Sequence, residues 1–135
     1  MKVHSIVNMT VTMRAVALAA LVGVSFPATP ALAANALTGN EVKKLVAGNT
    51  IHFEVAGKGR FKAYLDPAGK VTRKQGDKVI EGKWRVKDDG ALCVHYAGNE
   101  ERCGTVKKNS DGSYTRIDDA NTTNHWTKIS KGKDL

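Results

Sequence analysis

Three histidines and one glutamate form the set of residues whose types could bind a metal ion. His52 and Glu54 share one face of a segment that alternates as a strand, and His95 and His125 could approach from neighbouring strands. Imidazole and carboxylate groups at such positions suit zinc and similar ions. Histidines on a solvated strand face give the same pattern, so the metal site is one of two hypotheses for these residues.

Two pairs of adjacent acids, Asp88-Asp89 and Asp118-Asp119, have the residue type for general acid and base catalysis. They stand in turn-like stretches, where aspartates hydrogen-bond their own backbone. The sequence holds no G-x-S-x-G nucleophile elbow, no H-E-x-x-H zinc motif and no phosphate-binding G-x-x-x-x-G-K. We therefore expect turns here, and a protein that is not an enzyme and has no cofactor.

The two cysteines, Cys93 and Cys103, lie in strand-like segments on either side of a turn at Gly98. Folding this hairpin places them opposite each other, and a bridge closing a loop of about ten residues stabilises by about 2 to 3 kcal/mol. The alternative is a redox or metal-binding pair. The spacing is not C-x-x-C, and no nearby histidine gives a zinc pattern. We predict a disulfide.

The N-terminal segment has the features of a secretory signal peptide. A basic residue, Arg14, precedes the apolar run 15–26, Pro27 follows, and a small-x-small pattern ends at Ala33. The run is shorter than the roughly 20 residues of a membrane span. We predict a signal peptide over residues 1–33, cleavage after Ala33, and a protein of the periplasm or the secreted fraction. The alternative is an uncleaved membrane anchor.

The translation start is open, because Met9 and Met13 could each replace Met1, but the export prediction does not depend on it. Residues 34–135 then form one domain with a modest core. The leader holds two of the 21 basic residues and none of the 13 acids, so the domain carries 19 basic against 13 acidic residues, a net charge of +6.

A basic exported domain could meet a protein or an anionic component of the cell envelope. The basic residues are spread along the chain among acids, which solvated strand faces also explain. Nucleic-acid binding would need aromatic residues interleaved with basic ones, and residues 60–74 offer few. We expect a monomer with no nucleic-acid partner and no membrane span after cleavage.

A short helix and a series of strands are predicted to follow. Thr38 and Glu41 match a capping box for a helix over about 38–47. Beyond it, apolar and polar residues alternate between turn signals that recur mostly every 8 to 12 residues. We predict a mainly β fold, a small antiparallel up-and-down meander barrel of about eight strands: 50–56, 59–65, 69–75, 78–87, 91–97, 101–108, 112–117 and 123–129.

Strand parity assigns side chains to the inside or the outside of this barrel. Leu92 and Tyr96 point inward in the fifth strand, which leaves Cys93 and His95 on the outer wall. In the last strand the pattern is ambiguous, because Trp126 and Ile129 fall on opposite faces. The predicted core residues, which we expect to fill the interior, are Phe53, Phe61, Trp84, Leu92 and Tyr96.

Short motifs occur in a fixed order: L-T-G-x-E at 37–41, G-N-T at 48–50, G-x-W-x-V at 82–86, L-C at 92–93, R-C at 102–103 and D-G-x-Y at 111–114. In this order the chain resembles a family of small exported domains of unknown function, mostly alphaproteobacterial. That resemblance implies a Gram-negative periplasmic setting but no reaction or ligand. More loosely, the layout is similar to lipocalin-like barrels, although their G-x-W opens the first strand.

Three functions are compatible with these features. The first is a non-enzymatic binding or interaction module of the cell envelope. The second is an inhibitor of a secreted protease or lysozyme, by loose similarity to the lipocalin-like inhibitors. The third is a carrier of a small apolar ligand inside the barrel, which requires that the aromatic side chains leave space there.

Overall fold

The computed structural model describes Gly23 and residues 35–135. Apart from Gly23, the predicted signal peptide at residues 1–33 lies outside the described residues, as does the cleavage point. The elements are α1 (Gly39–Val46), β1 (Asn49–Val55), β2 (Gly59–Leu65), β3 (Lys70–Gln75), β4 (Lys78–Val86), β5 (Leu92–Tyr96), β6 (Arg102–Lys108), β7 (Tyr114–Asp118) and β8 (Thr123–Lys131). Within the described part of the chain, no helix is long and apolar enough to cross a membrane.

The eight strands form one closed barrel in sequence order. Each strand pairs antiparallel with the next, and β8 pairs with β1 to close the sheet. Closure leaves no unpaired edge strand, which is how a meander of short strands satisfies its backbone groups. The predicted up-and-down barrel with one short helix is confirmed.

The capping box that the sequence predicts starts α1. Thr38 Oγ1 accepts a hydrogen bond from the Glu41 backbone N–H at 3.3 Å, and Glu41 Oε1 accepts one from the Thr38 N–H at 3.1 Å. The helix then buries Val42 and Val46 completely against the barrel. Because these two residues are one turn apart, a single apolar stripe fixes the helix over one end of the barrel.

A β-bulge in β8 resolves the parity that the sequence left ambiguous. Ile51 faces Ile129 and Phe53 faces Trp126, and the register between β1 and β8 shifts between His52 and Phe53. Thr127 is the additional residue at this shift. In a regular strand, Trp126 and Ile129 would point to opposite faces, because they are three positions apart. The extra residue shifts the alternation by one position, so both side chains point into the barrel.

The seventh strand begins two residues later than predicted. Asp111 Oδ1 accepts hydrogen bonds from the backbone N–H and the hydroxyl of Ser113, at 2.9 and 2.6 Å. The N–H of Gly112 bonds the carbonyl of Asn109 at 3.1 Å. Residues 109–113 are therefore a turn, and β7 starts at Tyr114.

The two ends of the barrel differ. At one, which we name the closed end, α1 and the segments that flank it contact the ends of β2 and β6; the Gly48 N–H bonds the Leu65 carbonyl at 2.7 Å, and the Leu37 N–H bonds the Val106 carbonyl at 2.9 Å. At the other, which we name the mouth, lie the turns after β1, β3, β5 and β7. Exposed residues of these turns, such as Lys58, Asn99 and Ala120, reach the barrel interior.

Candidate functional site

The residues proposed as metal ligands are not brought together. Glu54 lies opposite His125 across β1 and β8, but its carboxylate pairs with Arg60 Nε at 2.8 Å. His52 shares their outer face, whereas His95 lies on β5, four strands away around the barrel. In the described chain, the group that could hold a metal is Cys93, Glu101 and Cys103, and both of its sulfur atoms are in a disulfide.

His52 also contacts a serine and an aspartate, the residue types of a nucleophilic triad. Its Nε2 lies 3.0 Å from Ser130 Oγ and 3.4 Å from Asp134 Oδ2. A triad needs the carboxylate on one ring nitrogen and the hydroxyl on the other, so that the base is held while it takes the proton. Here both partners meet the same nitrogen. This cluster ties the C-terminal segment to β1 and lacks the geometry that activates a serine.

The disulfide between Cys93 and Cys103 is confirmed, and the two residues are direct neighbours across β5 and β6. Cys93 stands on the outer face, opposite Arg85 of β4, yet it has no exposed surface. Arg85 bonds both carboxylate oxygens of Glu101, at 3.0 and 2.7 Å, and Glu101 Oε1 lies 3.8 Å from Cys103 Sγ. We name these four residues the outer-wall cluster.

The paired acids serve turns. Asp89 Oδ1 accepts the Ala91 N–H at 3.0 Å. Asp118 Oδ1 accepts the N–H groups of Ala120 and Thr122, each at 2.9 Å. These bonds are the Asx-type turns that the sequence predicts, and each uses one oxygen atom of its carboxylate.

The barrel interior holds a cavity of about 510 Å³ that extends from the deep core to the mouth. The predicted core aromatics Phe53, Phe61 and Tyr96 line this cavity and do not fill it, which differs from our expectation. Trp84 does not line it, because its indole N–H bonds the Asp66 carbonyl at 2.8 Å near the closed end. Leu92, also a predicted core residue, is 2 % exposed and lines the cavity floor.

A buried arginine, Arg116 of β7, points into this cavity and is only 5 % exposed. Its Nε and Nη2 donate to the Leu92 carbonyl at 3.3 and 3.0 Å, and Nη2 also donates to the Arg102 carbonyl at 2.9 Å. Burial lowers the pKa of this guanidinium from its usual value. Among the described residues, it forms no ion pair with a carboxylate.

A second arginine, Arg73 of β3, lies against two aromatic rings of the cavity wall. Its guanidinium carbon is 5.2 Å from the Phe61 ring centre and 4.5 Å from the Tyr96 ring centre. Burial raises the pKa of the Tyr96 hydroxyl, and the charges of Arg73 and Arg116 act in the opposite direction. Arg73 is also a hydrogen-bond partner of this side chain, whereas Arg116 acts on it through its charge. The hydroxyl stays protonated at neutral pH and can donate a hydrogen bond.

We name Arg73 and Arg116 the interior arginines; the sequence analysis did not assign them to the cavity. The alternation of side chains along the strands could have placed them there, because Arg73 has the parity of buried Val71 and Arg116 has the parity of Tyr114. Four basic side chains line the cavity, Lys58, Arg73, Arg102 and Arg116, against two acidic ones, Glu100 and Asp118.

Fold and site together define a small closed barrel with a basic, aromatic interior. The chain belongs to the family described as "Protein of unknown function (DUF995)", whose model matches residues 9–125. No curated protein matches it, and no solved structure matches it.

Proposed function

We propose that the protein is an exported, non-enzymatic binding protein that holds a small, largely apolar molecule inside its barrel. The observation that carries this proposal is the interior cavity of about 510 Å³. Small-molecule sites measure about 300 to 1,000 Å³ and combine an apolar wall with a few polar groups. The proposal joins the binding-module hypothesis to the carrier hypothesis.

The wall of the cavity has the chemistry that such a site needs. Apolar side chains from five strands line it: Ile51, Phe53, Val55, Phe61, Ala63, Leu65, Val71, Leu92, Val94 and Trp126. Burying the apolar surface of a ligand here gains about 25 cal/mol per Å². The aromatic side chains add flat surfaces that can contact either a ring or an alkyl chain of the ligand.

The two ends of the barrel suggest how a ligand enters. The closed end is filled by Val42 and Val46 of α1, which have no exposed surface. The mouth is bordered by turns, which are the elements that open most readily in a folded protein. We therefore propose that exchange occurs through the mouth.

Export and the absence of catalysis are parts of the same proposal. A disulfide is typical of oxidising compartments such as the periplasm, which supports export. The single-nitrogen contacts of His52 with Ser130 and Asp134 support a non-enzymatic role. A protein or anionic envelope partner, and a monomeric state, stay predictions.

The test is binding of a neutral apolar fluorescent dye, N-phenylnaphthylamine, to the purified mature protein. We expect saturable fluorescence enhancement by the wild type. Ala63 lies on the interior face and is 5 % exposed, so Ala63→Phe should occupy the cavity and abolish the enhancement. The matched control is Ala97→Phe in the exposed turn after β5, which should bind as the wild type does.

A native mass spectrum of protein purified from its own periplasm adds a second readout. A retained small molecule supports the proposal. An unliganded mass together with no dye binding contradicts it. Co-purification of a protease or lysozyme with an unliganded barrel would favour the inhibitor hypothesis instead.

A further inference from the structure

Arg116 presents an unusual charge inside the barrel. Moving a charged group out of water is costly unless it is paired and hydrogen-bonded, and a guanidinium remains protonated in proteins. The carbonyls of Leu92 and Arg102 satisfy Nε and Nη2 but carry no formal charge. In the described part of the chain, the positive charge therefore lacks a countercharge in direct contact.

One donor nitrogen of Arg116 is left for another partner. Nη1 makes no hydrogen bond to the described residues. Among those residues, every fully buried side-chain nitrogen or oxygen atom has a hydrogen-bond partner. Nη1 is therefore not enclosed by protein. Because Arg116 lines the cavity, this nitrogen is the donor that a ligand in the cavity would use.

The sheet makes room for this side chain at one position. A Cβ atom added to Gly104 of β6 would lie 2.9 Å from Arg116 Cγ and 2.9 Å from its Nε. Such distances are shorter than van der Waals contact. Glycine at 104 thus lets Arg116 lie flat on the inner wall and reach the carbonyls of Leu92 and Arg102.

Arg73 contributes a second unneutralised charge. Its guanidinium stacks on Phe61 and Tyr96 and is a hydrogen-bond partner of the Tyr96 side chain. Within residues 35–135 it makes no ion pair with a carboxylate. The carboxylates of Asp118 and Asp119 act on the Arg116 charge through space, but neither forms an ion pair with it. The described wall thus holds two guanidinium groups, those of Arg73 and Arg116, that no carboxylate contacts directly.

We propose that the occupant of the cavity is an amphipathic anion. A single carboxylate or comparable oxyanion head group binds the guanidinium groups of Arg116 and Arg73 and the hydroxyl of Tyr96, and an apolar body contacts Phe53, Leu92 and Trp126. This inference rests on the proposed function, because it specifies what that cavity binds. Guanidinium is the side-chain group that matches an oxyanion best, through parallel N–H donors.

The experiment compares decanoate with decanamide, which has the same chain length and no charge. Each displaces N-phenylnaphthylamine from the full mature protein at neutral pH. Charged hydrogen bonds contribute about 1.5 to 3 kcal/mol. We therefore expect decanoate to compete at a concentration about tenfold or more below that of decanamide.

Two variants locate the head group. Arg116→Gln and Arg73→Gln should each reduce the decanoate preference by about tenfold while leaving decanamide binding unchanged. Arg73 is partly exposed, so its variant tests the inference even where Arg116→Gln folds poorly. The control is Arg85→Gln, which removes a charge from the outer-wall cluster and should keep the full preference.

The outcomes separate the two proposals. Equal competition by decanoate and decanamide overturns the anionic ligand and leaves the proposed function standing. A preference for decanoate that persists in both interior variants also overturns it, because another site then binds the charge of decanoate. Absence of any dye binding overturns the proposed function, and the inference with it.

Discussion

Arg85 and Arg116 are both arginines of the barrel wall, and the two faces of that wall treat them differently. On the outside, Arg85 bonds both oxygens of Glu101, and this partner raises the pKa of the guanidinium. On the inside, Arg116 bonds only backbone carbonyls, and burial lowers its pKa. On the outer face, the charge of Arg85 is neutralised by its partner Glu101. The inner face keeps positive charge directed at a cavity.

This difference separates residues that stabilise the barrel from residues that we propose bind a ligand. Substitutions in the outer-wall cluster should change stability and leave ligand preference intact. Substitutions of the interior arginines should change ligand preference more than stability. The following predictions test that division, in order of expected effect.

Gly82→Ala should have the largest effect on stability. An added Cβ would overlap the His95 carbonyl oxygen and lie 2.9 Å from Tyr96 Cα, and both neighbours are backbone atoms. Because backbone cannot rotate away, we expect a loss of about 3 kcal/mol or more, at the upper end of overpacking costs. Urea denaturation measures it, with Val79→Ala, an exposed site on the same strand, as control. A loss equal to that control would contradict the close packing of β4 and β5.

Removing the disulfide should come next. The variant with Cys93→Ala and Cys103→Ala releases a loop with a sequence separation of 10, which costs about 2 to 3 kcal/mol. Chemical denaturation under non-reducing conditions gives the loss. The decanoate preference of the folded fraction should not change, since the bridge lies on the outer face. A lost preference would show that the two faces are not independent.

Thr38→Ala removes the cap of α1 at the closed end. The Glu41 N–H loses its partner, and N-cap substitutions of this kind cost about 1 kcal/mol. Thermal unfolding measures the change, and Thr38→Ser, which retains the hydroxyl, is the control. Equal destabilisation by both substitutions would assign the effect to the lost methyl group and not to capping. Dye binding should persist, because the cap lies far from the mouth.

The smallest effect should be a pH dependence of the outer-wall cluster. Arg85 lowers the pKa of the Glu101 carboxyl from its ordinary value of 4.5. A lowered pKa in the folded state adds stability above the unfolded value, and this stability is lost as the pH falls through the folded value. Between about pH 6 and about pH 3, the wild type should therefore lose more unfolding free energy than Arg85→Gln. The same slope for both proteins would contradict the contribution of this pair.

Much of the fold follows from local sequence patterns. Turn residues at short intervals and alternating side chains predict the closed meander, and Thr38 with Glu41 predicts the start of the helix. The hairpin about Gly98 predicts the disulfide. These features depend on neighbours within a few residues, so a single sequence contains them.

The site depends on contacts between distant strands, which local patterns do not contain. The bulge at Thr127 comes from the fit of β8 to β1, so the inward direction of both Trp126 and Ile129 could not be predicted. An arginine with inward parity is ordinarily assigned to solvent, because burying it is costly. The space for Arg116 exists because Gly104 lies beneath it, across a strand pair.

The most direct test of the account is an NMR titration of the mature protein with decanoate. It follows the Nε–H signals of Arg73, Arg116 and Arg85. The account predicts saturable shifts for Arg73 and Arg116 with Arg85 unchanged, because only the inner face binds the head group. Shifts confined to Arg85 and the outer face, or no shift of Arg116 at saturation, would contradict it.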